Sequence, residues 1–72
     1  MRAVEREVVY QGDGTEKVKA TIYANGLSTL PEDGSDVDGM LDTDEFAEGT
    51  IVLDETSGDV AMYGSDNQFH KW

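Results

Sequence analysis

The residues with the clearest chemical meaning are the carboxylates between residues 34 and 45. When the segment is aligned from Gly34 to an EF-hand calcium loop, four acids fall at ligand positions 3, 5, 9 and 12: Asp36, Asp38, Asp42 and Glu45. Gly39 takes the glycine position, but the first ligand position falls on Gly34, and Pro31 interrupts an entering helix. The sequence therefore predicts a solvated acidic loop without a bound metal, and calcium binding by these four carboxylates is the alternative.

His70 is the single histidine of the chain, and it is the remaining candidate for catalysis or metal binding. One histidine needs further ligands or a nucleophile, and only Asp66 and Asn67, in a predicted turn, lie near it in sequence. Cysteine is absent, which excludes disulfides and thiolate metal sites. The sequence assigns no catalytic residue and no cofactor, and it predicts a protein that is not an enzyme.

Three aromatic residues, Tyr63, Phe69 and Trp72, gather in the last ten positions. Strand alternation puts Phe69 on one face and His70 and Trp72 on the other. In one interpretation these rings belong to the core, with Phe69 inside and Trp72 at the edge. In the other they anchor an interface, because tyrosine and tryptophan are enriched at binding hot spots. The three residues are the candidate interface.

The last third of the chain has the pattern of a three-stranded antiparallel meander over residues 50–72. The predicted strands cover residues 50–54, 60–63 and 68–72, and they include the β-branched residues Ile51 and Val52. The segments between them, Thr56-Ser57-Gly58-Asp59 and Gly64-Ser65-Asp66-Asn67, are rich in residues that favour turns.

The first third predicts a β-hairpin over residues 3–24, centred on Gln11-Gly12-Asp13-Gly14. Its second strand alternates, with one face carrying Val18, Ala20, Ile22 and Ala24 and the other carrying Lys17, Lys19, Thr21 and Tyr23. The lysines are expected to face Glu5 and Glu7, either as cross-strand charge pairs or as a solvated surface. Because a two-stranded ribbon is unstable alone, the hairpin must pack on the C-terminal strands or on another subunit.

Residues 27–48 form the predicted acidic connector between the hairpin and the meander. Between residues 32 and 48 there are eight acids and no base. Its apolar residues are too many for a disordered linker, so we expect an ordered loop held to the core by Leu30, Val37, Met40, Leu41 and Phe46. One short helical turn is predicted over residues 43–48. The fold class is mainly β, in a single small domain of 72 residues.

The charge of the chain narrows the range of partners. The net charge is −11, and residues 28–72 hold twelve acids against Lys71, whereas residues 1–27 are charge-balanced. Nucleic acid and anionic membranes are therefore unexpected partners. No apolar run approaches the ~18 residues of a membrane helix, and MRAVEREVVYQ lacks the apolar core of a secretion signal.

Several segments taken together resemble the small structural proteins of tailed bacteriophages and prophages. They are Ile22-Tyr23-Ala24, Leu30-Pro31-Glu32-Asp33-Gly34, Val37-Asp38-Gly39-Met40, Phe46-Ala47-Glu48-Gly49-Thr50 and the stretch from Thr56 to Tyr63, with Trp72 at the end. The resemblance implies a virion component of the head-decoration or head-fibre type, present in the host cytoplasm during assembly. A position in the neck or tail is also compatible with it.

The expected function is a non-enzymatic structural role through protein–protein contacts with capsid or other virion proteins. A chain of this length buries a small core, so we expect a homo-oligomer or repeated copies on a lattice. The alternative is an acidic binding module, an inhibitor or adaptor, that occupies a basic protein surface.

Overall fold

Five β-strands form one mixed sheet in the computed structural model, which describes residues 1–27 and 29–72. In chain order they are β1 (Arg2–Tyr10), β2 (Glu16–Ala24), β3 (Ile51–Asp54), β4 (Val60–Tyr63) and β5 (Phe69–Lys71). The spatial order is the same, and each neighbouring pair is antiparallel except β2 and β3, which are parallel. The prediction of a mainly β protein is confirmed, and a hairpin and three antiparallel strands lie close to where they were expected.

The turn of the first hairpin follows directly from its glycines. The Gly14 N–H donates to the Gln11 carbonyl at 3.1 Å, and the Gln11 N–H donates to the Thr15 carbonyl at 2.8 Å. Gly14 takes the left-handed conformation that this three-residue loop requires, with φ of 88°. The loop between β4 and β5 closes with the same pair of bonds, and there Asn67 adopts φ of 60° in place of a glycine.

The predicted hairpin and meander are partly confirmed, but the sequence did not predict that they form one mixed sheet. Strand β2 pairs with β3 in parallel, with Thr21 opposite Ile51 and Tyr23 opposite Leu53, so all five strands share one sheet. Parallel neighbours need a long crossover connection, and residues 25–50 supply it. Alternation within each strand reveals its two faces but not its neighbours, which is why the sequence missed this pairing.

The crossover contains no α-helix among the residues that the structure describes. The one regular element in its described residues is a 3-10 turn, Gly34–Asp36, capped by the Asp33 carboxylate. The predicted helical turn over residues 43–48 is wrong, because Phe46 instead forms a parallel bridge with Val18. The Val18 N–H donates to the Glu45 carbonyl and the Ala47 N–H donates to the Val18 carbonyl, each at 2.7 Å. Within residues 1–27 and 29–72, no helix has the length and apolarity needed to cross a membrane.

The crossover covers one face of the sheet and forms the core with it. Three of its predicted anchors, Val37, Met40 and Phe46, are buried, whereas Leu41 is 61% exposed. Opposite them lies the alternating face that was predicted for β2, together with β3. The buried cluster consists of Val18, Ala20, Ile22, Ala24, Val37, Met40, Phe46 and Val52.

Thr50 lies just before β3 and bonds the backbone of β2 through its side-chain hydroxyl. Its hydroxyl donates to the Val18 carbonyl at 3.1 Å and accepts from the Ala20 N–H at 3.2 Å, and the residue is fully buried. In Thr50→Val the Ala20 N–H loses this partner inside the protein. We expect the free energy of unfolding, measured in urea, to fall by about 1–3 kcal/mol. Thr50→Ser keeps the hydroxyl and serves as the control, and equal losses in the two variants would contradict this role.

Candidate functional site

Two of the three predicted interface residues, Tyr63 and Phe69, are partly buried and pack against the core. The rings of Tyr63 and Phe69 pack edge to face, with centroids 4.8 Å apart, and both contact Phe46, at 5.7 Å and 5.3 Å. Burial raises the pKa of the Tyr63 hydroxyl, and the charges of Glu45 and Asp66 raise it further. These rings therefore hold the crossover against the sheet, as one of the two sequence interpretations proposed.

Trp72 has a different environment from Tyr63 and Phe69. Its backbone N–H donates to the Val60 carbonyl at 2.8 Å, which extends the β4–β5 pairing by one residue. Alternation from Phe69 places the Trp72 side chain on the opposite face of the sheet. The residue is 79% exposed, so Trp72 is the predicted interface residue that lies free at the surface.

The four carboxylates of the calcium alternative lie along the crossover, and all are exposed: Asp36, Asp38, Asp42 and Glu45. Within residues 1–27 and 29–72, no three side chains of histidine, cysteine, aspartate or glutamate gather as a metal site requires. Asp38 contributes its backbone instead, since its carbonyl accepts from the Ala3 N–H at 2.7 Å and its N–H donates to the Met1 carbonyl at 2.9 Å. The crossover thereby pairs with the first residues of β1.

Asp44 has a specific role that the sequence did not indicate. Its carboxylate receives the Leu41 N–H at 2.7 Å and the Arg6 guanidinium, whose Nη2 lies 3.1 Å from Oδ1. Burial by itself raises the pKa of Asp44, but the bonds from Arg6 and Leu41 outweigh it and hold the pKa below its usual range. This pair ties β1 to the crossover across a distance of 38 residues in sequence.

His70 forms an exposed pair with Asp66 across the β4–β5 loop. The His70 Nε2 and Asp66 Oδ2 atoms are 2.7 Å apart, and this hydrogen bond holds the pKa of Asp66 below its usual range. Both side chains are about half exposed. The pair closes the loop and lies on the same face as Trp72.

Asp54, at the end of β3, accepts hydrogen bonds from four residues, more than any other carboxylate in the described residues. It is buried and accepts the N–H groups of Gly26 at 2.8 Å, Leu27 at 2.9 Å and Thr56 at 2.9 Å, with the Ser57 hydroxyl at 2.8 Å. The bond from Gly26 contributes most to holding the pKa of Asp54 far below its usual range, followed by those from Thr56 and Ser57. Asp54 joins the start of the crossover to the β3–β4 turn.

The face of the sheet opposite the crossover is uncovered within the described residues, and we call it the open face. Two rows of side chains cross it from β2 to β4, one through Tyr23, Leu53 and Val60 and the other through Thr21, Ile51 and Met62. All six are half-buried by their neighbours in the sheet. Trp72 follows Val60 in the first row, and His70 follows Met62 in the second.

One corner of the open face is held by Arg2. Its guanidinium lies 5.2 Å from the centre of the Tyr23 ring, and its Nη1 is 2.8 Å from the Glu55 Oε1. A cation over an aromatic face is attracted by the negative potential of the ring. Because both charged groups are largely exposed, this contact orients the ring more than it stabilises the fold.

The two faces of the molecule differ in charge. On the crossover face, seven of the eight acids between residues 32 and 48 are exposed and no base accompanies them. On the open face, Lys17 and Lys19 lie among Glu5 and Glu7. Register puts Glu7 opposite Lys19, as expected, but Glu5 faces Thr21 because a bulge between Ala3 and Glu5 shifts the pairing.

Comparison of the chain with protein-family models, with curated proteins and with solved structures finds no match. The class of the molecule is therefore defined by its own geometry. It is a mixed five-stranded sheet with one face covered by an acidic crossover and the other face open, apolar at its centre and balanced in charge.

Proposed function

We propose that this protein is a non-enzymatic structural protein that acts through contacts with other proteins. The observation that carries the proposal is the open face, where aliphatic and aromatic side chains of three adjacent strands form one continuous surface. Contiguous apolar surface of this kind is typical of protein–protein interaction sites. The exposed Trp72 extends the surface on one side, and tryptophan is enriched at binding hot spots.

A place in the virion of a tailed phage, as a head-decoration or head-fibre component, is the specific form of the proposal. It is supported by the resemblance of the sequence segments and by the division of the molecule into two unlike faces. An apolar face suits attachment to a repeating protein surface, and an acidic face toward solvent keeps assembled particles apart. The capsid or another virion protein is then the partner, and assembly takes place in the host cytoplasm.

An acidic binding module is the second candidate function, and the exposed acids of the crossover favour it. The side chains of Asp36, Asp38 and Asp42 are exposed, so their negative charges can meet a basic protein surface. Complementary charge of this kind steers association and sets specificity. An inhibitor or adaptor would use this face rather than the open face.

One experiment tests the proposal and separates the two candidates. Particles released from a producing culture are purified on a density gradient, and the protein is quantified in the particle fraction for the natural chain and for the triple variant Asp36→Lys, Asp38→Lys, Asp42→Lys. We expect both chains in the particles in equal amounts. Absence of the natural chain from the particles contradicts the virion assignment. Loss of the variant alone, with its circular dichroism unchanged, favours the acidic module.

A further inference from the structure

We infer that the outer edge of β5 and the pocket beside it bind an extended peptide, which adds a strand to the sheet and places an arginine side chain in the pocket. This goes beyond the proposed function, because it uses neither the open face nor the acids Asp36, Asp38 and Asp42. Peptide binding is measured on the purified protein without particles, so its failure and the failure of the virion assignment are distinguishable.

The backbone of β5 carries hydrogen-bonding groups that point out of the sheet. Within the described residues the strand lies at the end of the strand order and pairs with β4 alone. The Trp72 N–H and the Gln68 carbonyl both bond toward β4. Because such bonds alternate along an antiparallel pair, the N–H and carbonyl groups of Phe69 and Lys71 point away from β4. An extended peptide along this edge can therefore exchange a pair of hydrogen bonds with each of these two residues.

A peptide strand in this position directs one of its side chains toward the pocket. Phe69 projects to the crossover face, where its ring packs on Phe46 and Tyr63. Residues directly opposite each other in an antiparallel pair share a face, so the peptide residue opposite Phe69 also lies on the crossover face. There it meets a pocket of about 360 Å³, lined in part by Phe69, Tyr63, Leu30 and Pro31. This volume is at the lower end of the range for small-ligand sites and suits a single long side chain.

The lining of the pocket suits a cation on an apolar stem. Tyr63 and Phe69 are partly exposed and form part of the wall, and the face of an aromatic ring attracts a cation. Glu32 is exposed at the margin of the pocket. Beyond the effect of burial, the charges of Glu45 and Asp66 act on the Tyr63 hydroxyl and raise its pKa. Of the two long cationic side chains, arginine carries the planar group that stacks on aromatic rings.

Lys71 adds a second element of specificity to the edge. It is exposed and shares the face of Phe69, two positions further along β5. In an antiparallel strand the peptide residue opposite Lys71 comes two positions before the arginine, and we expect an acid there, because opposite charges favour pairing across strands. A second copy of β5 contains no acid to place opposite Lys71, and two chains with a net charge of −11 repel each other.

The test uses the capped peptide Thr-Thr-Glu-Val-Arg-Val-Thr-Thr, which has no net charge, and follows the backbone amides of the isotope-labelled protein by NMR. We expect saturable binding with a Kd below about 1 mM. With peptide at about ten times its Kd, the Phe69 and Lys71 amides should exchange with water about 10-fold more slowly, whereas the His70 amide, which already bonds toward β4, should change little. Absence of saturable binding overturns the inference. Exchange at the two edge amides that slows with protein concentration alone assigns the edge to a second copy and also overturns it.

Two matched pairs of changes assign the binding to the edge and to the pocket. N-methylation of the peptide arginine removes the N–H that donates to the Phe69 carbonyl and should weaken binding at least about 10-fold, whereas N-methylation of the preceding valine, whose N–H points away from β5, should have little effect. In the protein, Glu32→Lys at the pocket should weaken binding by a similar factor, whereas Asp42→Lys makes the same change of charge at an exposed site outside the pocket and should not. Equal effects within either pair overturn the inference.

Discussion

Phe46→Ala is expected to remove about 3–5 kcal/mol from the free energy of unfolding, a large part of the stability of this protein. Phe46 is one of the crossover residues buried in the core, where its ring contacts Tyr63 and Phe69 and its backbone forms a bridge with Val18. Truncating a buried phenylalanine costs about 3–5 kcal/mol, because the transfer energy is lost and a cavity remains. A domain of 72 residues has a total stability of only about 4–11 kcal/mol. Urea denaturation followed by circular dichroism measures the loss.

Leu41→Ala is the matched control for Phe46→Ala. Leu41 lies in the same crossover and is also a large apolar residue, but it is 61% exposed. Its truncation should change the free energy of unfolding by no more than about 0.5 kcal/mol, as is usual for surface sites. If Phe46→Ala were no more destabilising than this control, the crossover would not contribute to the core in the way the structure indicates.

Asp54→Asn is expected to lower the melting temperature of the protein by about 10 °C, the second largest effect. The carboxylate accepts four hydrogen bonds, from the N–H groups of Gly26, Leu27 and Thr56 and from Ser57. Asparagine removes the negative charge and turns an NH₂ group toward donors that need an acceptor. Thermal denaturation at pH 7 checks this, and Asp59→Asn, an exposed change in the neighbouring turn, should leave the melting temperature nearly unaltered.

The effect of Asp54→Asn should depend on pH in a defined direction. The pKa of Asp54 is lowered in the folded protein relative to about 3.8 in the unfolded chain, so its stabilising contribution is complete above pH 3.8 and is lost as the pH falls toward the folded value. The difference in melting temperature between the natural chain and the variant should be constant from about pH 5 to 8 and shrink below pH 3.8. A difference that grows toward low pH would contradict the assigned role.

The local sequence pattern was sufficient to predict most of the strands and the side of each strand that is apolar. The glycines around Asp13 predicted the first hairpin, because the loop needs a left-handed residue at Gly14. Alternation placed Phe69 and Trp72 on opposite faces, and in the structure the first ring packs against the core while the second is exposed. These features depend on backbone geometry over a few residues, which the residue types themselves control.

The contacts of Asp44 and Asp54 could not be found in the same way. In a chain with sixteen acids, nothing in the residue type distinguishes these two from their exposed neighbours. Each has a partner far away in sequence, Arg6 by 38 residues for Asp44 and Gly26 by 28 residues for Asp54. Long-range bonds of this kind depend on how the crossover lies over the sheet, which local sequence patterns do not show.

The amino-acid sequence by itself determined that the chain is mainly β, where its hairpin turns, and which side of each strand is apolar, since alternation and turn chemistry act locally. The tertiary structure alone decided that β2 and β3 lie side by side in parallel, that Phe46 adopts a strand-like bridge rather than a helical turn, and that one face of the sheet stays open. The physical reason is that strand neighbours are chosen by where the crossover can bury its apolar side chains and satisfy its backbone groups, which is a property of the whole chain.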